Sequence, residues 1–267
     1  MKLVYCTLIL LISCNLSFAK NAERQIGTED SGRVYHDKPN TEVLRILTYN
    51  VRNCSGMDGK TDYSRVADVI TAIHPEAVAL QELDSVTSRS NGSDVLKVLA
   101  NKCLMNYIYG ASIPYKGGKY GIGVLSREMP LKTSFVPLPG REEKRGLLIA
   151  EFLDYVLFCT HFSLTESDRL ASVKIINLKV HEFQKPVILA GDFNASPSSN
   201  AINSLSGEWI NLSGKKPTFP SNQPVECIDY VWGFSCCNQH IQVIKQEVVP
   251  EKMASDHRPV FVDIRLK

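Results

Sequence analysis

A mixed or antiparallel layered α/β sandwich is the fold class this sequence predicts, and three observations predict it. Strand-like runs outnumber helical ones by about two to one. They lack the regular strand–helix alternation of a doubly wound parallel sheet. Several apolar runs end abruptly on a carboxylate, an amide or an imidazole, the pattern of strands that carry polar groups to one edge.

The elements follow in order. Residues 44–50 (Leu-Arg-Ile-Leu-Thr-Tyr-Asn) show strand alternation and β-branched content, ending at Asn50 before a polar loop at 53–59. From Ser64 onward Val66, Val69, Ile70 and Ile73 recur at helical spacing, and His74-Pro75 ends that helix. Residues 77–80 (Ala-Val-Ala-Leu) then read as a buried strand delivering Gln81 and Glu82. A second helix is expected over 94–102, strands over 107–112 and 121–126, and a flexible loop at 116–119 between them. Residues 146–152 and 155–162 form a hairpin pattern around Asp154, the second strand closing on Cys159-Thr160-His161. The longest helical pattern, 166–183, reads as an outer-layer helix through Leu170, Val173, Ile176, Leu178 and Val180. A short apolar strand at 186–190 runs into Gly191-Asp192-Phe193-Asn194. Strands at 227–233 (carrying Asp229), 241–249 and 259–264 complete the chain, with Asp256-His257 entering the last.

Length and composition bound the function. The 267 residues, 44% hydrophobic and 22% charged, suit one globular domain, here read over 43–267. Thirty Lys and Arg against 28 Asp and Glu leave a formal net charge of +2, which argues against a polybasic nucleic-acid sleeve while allowing a local basic groove. Lys2 followed by a run over 3–13 that is apolar apart from Thr7 reads as an export signal, too short to span a bilayer. Two processing readings stay open: a signal peptide over 1–19 ending Ser17-Phe18-Ala19, or a lipoprotein signal over 1–13 with lipidation and membrane anchoring at Cys14. Either way the protein is expected outside the cytoplasm, as a monomer, with 20–42 as an exposed leader. Of eight cysteines, Cys6 and Cys14 lie in the signal, leaving Cys54, Cys103, Cys159, Cys227, Cys236 and Cys237 in the mature chain, a set that points to disulfides rather than a zinc site, since no Cys-x-x-Cys pair repeats. Cys159, inside an apolar run, is the expected free buried thiol.

The chemistry-bearing set is Asn50, Glu82, His161, Asp192, Asn194, Asp229, Asp256 and His257, each beside a strand-like run. Carboxylates with an amide suit a hard cation such as Mg²⁺, with Mn²⁺ or Ca²⁺ as alternatives, and a histidine next to an aspartate suits charge stabilisation during hydrolysis. Any one of them alone has an ordinary reading as a strand cap, a solvated turn or a satisfied core histidine. Asp229 resists that reading, because a carboxylate flanked by Ile228 and Tyr230 in a strand needs a partner.

Seven segments, in this order, carry a resemblance: Thr48-Tyr49-Asn50-Val51, Leu80-Gln81-Glu82-Leu83-Asp84, the run 120–126, Thr160-His161-Phe162, Gly191-Asp192-Phe193-Asn194, Ile228-Asp229-Tyr230 and Ser255-Asp256-His257-Arg258-Pro259. They resemble the successive signatures of the endonuclease/exonuclease/phosphatase superfamily, the DNase I-like fold, from about residue 43 to 266. The resemblance implies a four-layered sandwich, two mixed and mostly antiparallel sheets face to face with helices outside. It also implies metal-dependent phosphoester hydrolysis, with Glu82 as principal metal ligand and Asn50 and Asp256 near the metal. Asp192 and Asn194 would orient or deprotonate the attacking water, and Asp229 would pair with His257. His161 stands where intracellular apurinic endonucleases usually carry tyrosine, which points to the branches of secreted nucleases, sphingomyelinases and phosphatases. Pancreatic-type nucleases set a further carboxylate against this first histidine, and the sequence identifies none for His161. Arg89, in the turn after Glu82, resembles a feature of secreted bacterial members and is carried over as a phosphate contact. An exported nuclease is thus the first reading, a phospholipid or inositol-phosphate esterase the second, and a non-catalytic phospho-ligand binding module the third.

Overall fold

Twelve strands and four α-helices are present in the computed structural model, which describes residues 43–235 and 240–267. The element order is β1 (Leu44–Asn50), α1 (Tyr63–Ile73), β2 (Ala77–Ser85), α2 (Val95–Cys103), β3 (Asn106–Tyr115), β4 (Gly118–Ser126), β5 (Lys132–Leu138), β6 (Arg145–Glu151), β7 (Val156–His161), α3 (Glu166–Val180), β8 (Val187–Asp192), α4 (Asn200–Leu205), β9 (Ile210–Asn211), β10 (Asp229–Phe234), β11 (Ile241–Val248) and β12 (Val260–Leu266). One sheet runs β11-β12-β1-β2-β4-β3 and the other β5-β6-β7-β8-β10-β9.

Two pairs set the direction of everything else. β1 lies parallel to β2 across α1, and β7 lies parallel to β8 across α3; every other pairing is antiparallel. A parallel pair needs a crossover, and a helix supplies it while covering one sheet face. α1 starts where the Asp62 carboxylate accepts the Arg65 N–H and stops at His74, which caps it in the left-handed region directly before Pro75. α2 begins likewise on Asp94, which accepts the Lys97 N–H.

Alternation along the strands then makes three apolar layers. Ile46, Ala79, Val124, Leu148, Leu157, Ala190, Val231 and Val262 pack between the two sheets. Leu47, Leu80, Val66, Ile70 and Leu96 fill the space under α1 and α2. Phe158, Leu189, Val173, Ile176 and Ile202 do the same under α3 and α4. The four-layered sandwich is therefore present as expected.

Several expectations need correction. Residues 116–119 are not a flexible loop: Lys116 and Gly117, both at positive φ, make a tight turn that joins β3 directly to β4. β5, α4 and β9 carried too weak a pattern to be expected, α4 being six residues long and β9 two. α3 ends at Val180 rather than 183, and Leu178 points to solvent. No disulfide joins any two of Cys54, Cys103, Cys159 and Cys227, all free thiols. Cys54, Cys159 and Cys227 sit in three different core layers, Cys159 being fully buried as expected, while Cys103 borders the Cys54 layer with its thiol turned to the Ala67 carbonyl. The export signal, the leader, lipidation at Cys14 and the vicinal Cys236-Cys237 lie outside the described residues.

Gly191 tests the contact between β7 and β8. An added Cβ there would lie 2.1 Å from the Thr160 carbonyl oxygen of the paired strand. Gly191→Ala should lower stability by about 1–3 kcal/mol in urea unfolding, and because Asp192 follows directly, any activity should fall further than the stability loss alone would cause. Wild-type stability in this variant would refute the account.

Candidate active site

The C-terminal ends of β1, β2, β7 and β8 meet at one rim, the place where parallel strands direct their polar ends. Asn50 closes β1, fully buried. Its Nδ2 donates to Glu82 Oε1 and to Asp192 Oδ2, 3.0 Å each, and its Oδ1 accepts the Arg52 N–H. Glu82 sits at an irregularity of β2 where pairing with β4 skips between Leu80 and Leu83, with φ +62°. That bulge turns a carboxylate out of a strand that would otherwise bury it. His161 ends β7 and Asp192 ends β8, with His161 Nε2 3.5 Å from Asp192 Oδ2.

The remaining groups arrive from the far edge. Asp229, the first residue of β10, pairs in register with Asp192 and accepts from Thr218 Oγ1 at 2.5 Å. Its carboxylate meets His257 Nδ1 at 2.9 Å, while His257 Nε2 lies 3.7 Å from Asp192 Oδ2. Ser255 ties this loop to β1 by donating to the Asn50 carbonyl at 2.7 Å. Asp256 lies 3.3 Å from the same Ser255 hydroxyl and faces Arg52 Nε at 3.3 Å. Asn194, at φ +45°, donates its side-chain amide to the Phe162 carbonyl, and its backbone N–H caps Asp192 Oδ1 at 2.9 Å.

Asp192 is thus the hub, with Asn50, His161, His257 and the Asn194 backbone around one buried carboxylate. Burial pushes the Asp192 carboxyl up to about 7, against the opposing pull of His257. Burial alone would lower His257, but the charges of Asp229 and Asp192 outweigh it and push the ring up to about 10. His161 moves the other way: burial first, then the charges of Arg145 and His257, hold it well below the ordinary histidine value.

Two donor groups are open to a cation. Asp192, Asp229 and His257 bring ligand atoms within 4.8 Å of one another. A charged imidazole bonded to Asp229 has no lone pair to give, so this trio is arranged as a charge relay, hydrogen-bonded between Asp229 and His257 and ion-paired across 3.7 Å to Asp192. Half-buried Glu82 offers carboxylate oxygens of the kind a hard divalent cation takes, held by the Asn50 Nδ2 while Asn50 Oδ1 turns to the Arg52 N–H, and Asp256 is linked to it through Ser255 and Asn50.

Arg89 stays outside this cluster. It binds Asp84 through Nε and Nη2 at 2.8 and 2.7 Å and stacks over Tyr115 and Tyr120, so its charge is neutralised by a fully buried carboxylate rather than offered to a phosphate. Two arginines unforeseen from the sequence touch the site instead. Arg52 opens a turn in which three successive residues, Arg52, Asn53 and Cys54, hold positive φ, a strained geometry of the kind found at functional sites. Arg145, the first residue of β6, is buried with Nη1 3.1 Å from His161 Nδ1. It lies in the charge run Arg141-Glu142-Glu143-Lys144-Arg145, which reads as a solvated loop.

A family model described as the Endonuclease/Exonuclease/phosphatase family matches residues 47–257. Among solved structures, an endonuclease/exonuclease/phosphatase from Bacteroides vulgatus superposes with a TM-score of 0.70 at 20% identity, covering 85% of this chain and 100% of its own. One from Beutenbergia cavernae gives 0.68 at 23% identity, covering 84% of this chain and 72% of its own. A mannosyl-6-phosphatase from Bacteroides thetaiotaomicron gives 0.67 at 17% identity, covering 83% and 99%. No curated protein matches the chain.

The relay makes a prediction independent of turnover. The folded value of His257 lies above its ordinary 6.5, so its contribution to stability is full below about pH 6.5 and is lost as the pH rises through about 10. NMR titration of the metal-free protein should show this ring charged well past neutrality, and Asp229→Asn should lower its titration point by about a unit or more. A wild-type His257 titrating near 6.5 would contradict the relay.

Proposed function

The chain belongs to the endonuclease/exonuclease/phosphatase family, and from that premise we propose that it is a metal-dependent phosphoester hydrolase. The observation that carries this reading is the surround of Asp192: a buried carboxylate facing Asn50, His161 and His257, with Glu82 on the other side of Asn50.

Each side chain has a task that follows from its surroundings. Asp192, whose carboxyl is poised near neutrality, orients the attacking water and accepts its proton as the new P–O bond forms in line with the departing ester oxygen. Asn50 and the Asn194 backbone fix the rotamer of Asp192 so that it need not reorient during the step. His257, kept charged by Asp229, places an N–H where negative charge develops on the phosphoryl oxygens. Glu82, with Asn50 and Asp256 close by, would hold the divalent cation, which when bound neutralises phosphate charge as a Lewis acid.

For substrate, a phosphodiester is read first and export places its encounter outside the cytoplasm. The +2 net charge supports a short local contact rather than a long polyanion track. A phospholipid or inositol-phosphate ester is the second reading, and the fold likeness to the mannosyl-6-phosphatase adds small phosphate esters beside it.

The test pairs supercoiled plasmid with a soluble phosphomonoester. Hydrolysis of either should require Mg²⁺, stop with EDTA, and fall by about 10²–10⁴-fold in Asp192→Asn and in His257→Ala. Glu82→Gln should raise the metal concentration needed for half-maximal rate as well as lower the rate itself. Nicking without monoester release supports the nuclease; the converse moves the assignment to small esters. EDTA-resistant turnover, or full activity in Asp192→Asn, overturns the proposal.

A further inference from the structure

The two histidines beside Asp192 are held by opposite chemistry. His257 meets a carboxylate at Nδ1, whereas His161 meets a guanidinium there: Arg145 Nη1 lies 3.1 Å from His161 Nδ1. Arginine has five donors, no acceptor and stays charged, so in this contact only the imidazole nitrogen can accept. A second proton on the ring would set N–H against N–H in a buried site. The arginine is not free to turn away. Glu143 holds the same Nη1 at 2.9 Å, Glu142 faces Nη2 at 3.6 Å, and the side chain is 7% exposed. The groups facing His161 are therefore Arg145 from β6, backed by Glu142 and Glu143, Asp192 from β8, and His257 from the loop before β12.

We propose that Arg145 is a positioning residue that fixes His161 as the neutral tautomer with its proton on Nε2, aimed at Asp192 Oδ2 and at the phosphoryl oxygen beside it. The lone pair on Nδ1 is consumed by Arg145, so His161 serves the reaction only as a donor. It cannot compete with Asp192 for the proton of the attacking water. The two rings then divide the work: His257 brings charge and His161 brings a neutral, directed N–H. Glu142 and Glu143 act one step further out by orienting the guanidinium. The tautomer itself does not depend on the hydrolase reading; only the kinetic consequence rests on it.

The test reads the tautomer first. In the full chain labelled with ¹⁵N-histidine, a long-range ¹H–¹⁵N spectrum at neutral pH should show His161 with an unprotonated Nδ1 and a protonated Nε2, the resonances being assigned by their loss in His161→Gln. A proton on Nδ1, or on both nitrogens, overturns the proposal without reference to activity. Arg145→Lys, which keeps a donor, should preserve the tautomer. Arg145→Met should release it to a mixture and lower kcat by about 10- to 100-fold, with KM changed much less. An unaltered tautomer and kcat in Arg145→Met likewise overturns it. Should that variant fail to fold, the wild-type spectrum decides alone. A fixed tautomer in a protein that hydrolyses none of the phosphoesters would sink the proposed function and leave this assignment standing.

Discussion

Asn50 donates one hydrogen to Glu82 and another to Asp192, and these two 3.0 Å bonds join the ends of two different sheets. The rest of the site depends on that bridge. Glu82 belongs to the sheet built on β1 and β2, Asp192 to the one built on β7 and β8, and nothing in either sheet alone fixes their separation. The separation is set by the apolar layer between them, where Ile46 and Ala79 oppose Leu157 and Ala190. Side-chain direction alternates along a strand, so a one-residue slip in β1 would send Asn50 to the opposite face and break both bonds together. Packing in the middle of the sandwich thereby becomes geometry at its rim.

The rim concentrates charge that the core could not tolerate unpaired. Asp192, Asp229, His161, His257 and Arg145 are each buried, and each finds a partner of the required type. Removing one member of such a set leaves its neighbour as an uncompensated buried charge, which costs about 3–5 kcal/mol. Loss of function and loss of stability are consequently entangled here, and measurements of ring protonation separate them better than rates alone. Thr218 illustrates how far the set extends: its hydroxyl satisfies Asp229 from a segment that carries no recognisable pattern of its own.

The sequence made the inner part of this arrangement legible for a physical reason. A strand that ends on Asn50, His161 or Asp192 changes from apolar to polar in one step, and three such changes at comparable places point to one edge. Glu82 was legible for the same reason, although the bulge that turns it outward was not, since a bulge is a pairing event between distant residues. The Asp229–His257 pairing came from the resemblance, 28 residues of separation being silent about contact. Arg145 stayed hidden because a charge run reads as solvated, and only the tertiary fold shows that one of its members is buried. Arg52 stayed hidden because three left-handed residues in succession, none of them glycine, break the local rule from which a turn would be read. β5 and α4 were missed since neighbouring layers, not their own periodicity, stabilise them.

Arg89 shows how the same side-chain type separates into two roles by environment. It lies in the segment following Glu82, yet a bidentate contact with Asp84 and two aromatic faces fix it as part of the turn. Arg145 is held instead by Glu142 and Glu143, and its remaining contact is a histidine whose other nitrogen faces the buried carboxylate of Asp192. The difference is where the restraint ends. In the first case the chain of bonds closes on itself, and in the second it continues through an imidazole to the buried Asp192 carboxylate. A chain with almost no net charge cannot draw a phosphoester in by a broad field, so recognition and rate have to come from a few donors held at fixed angles. Buried, mutually restrained side chains provide such angles, because each contact removes a rotational freedom before substrate arrives.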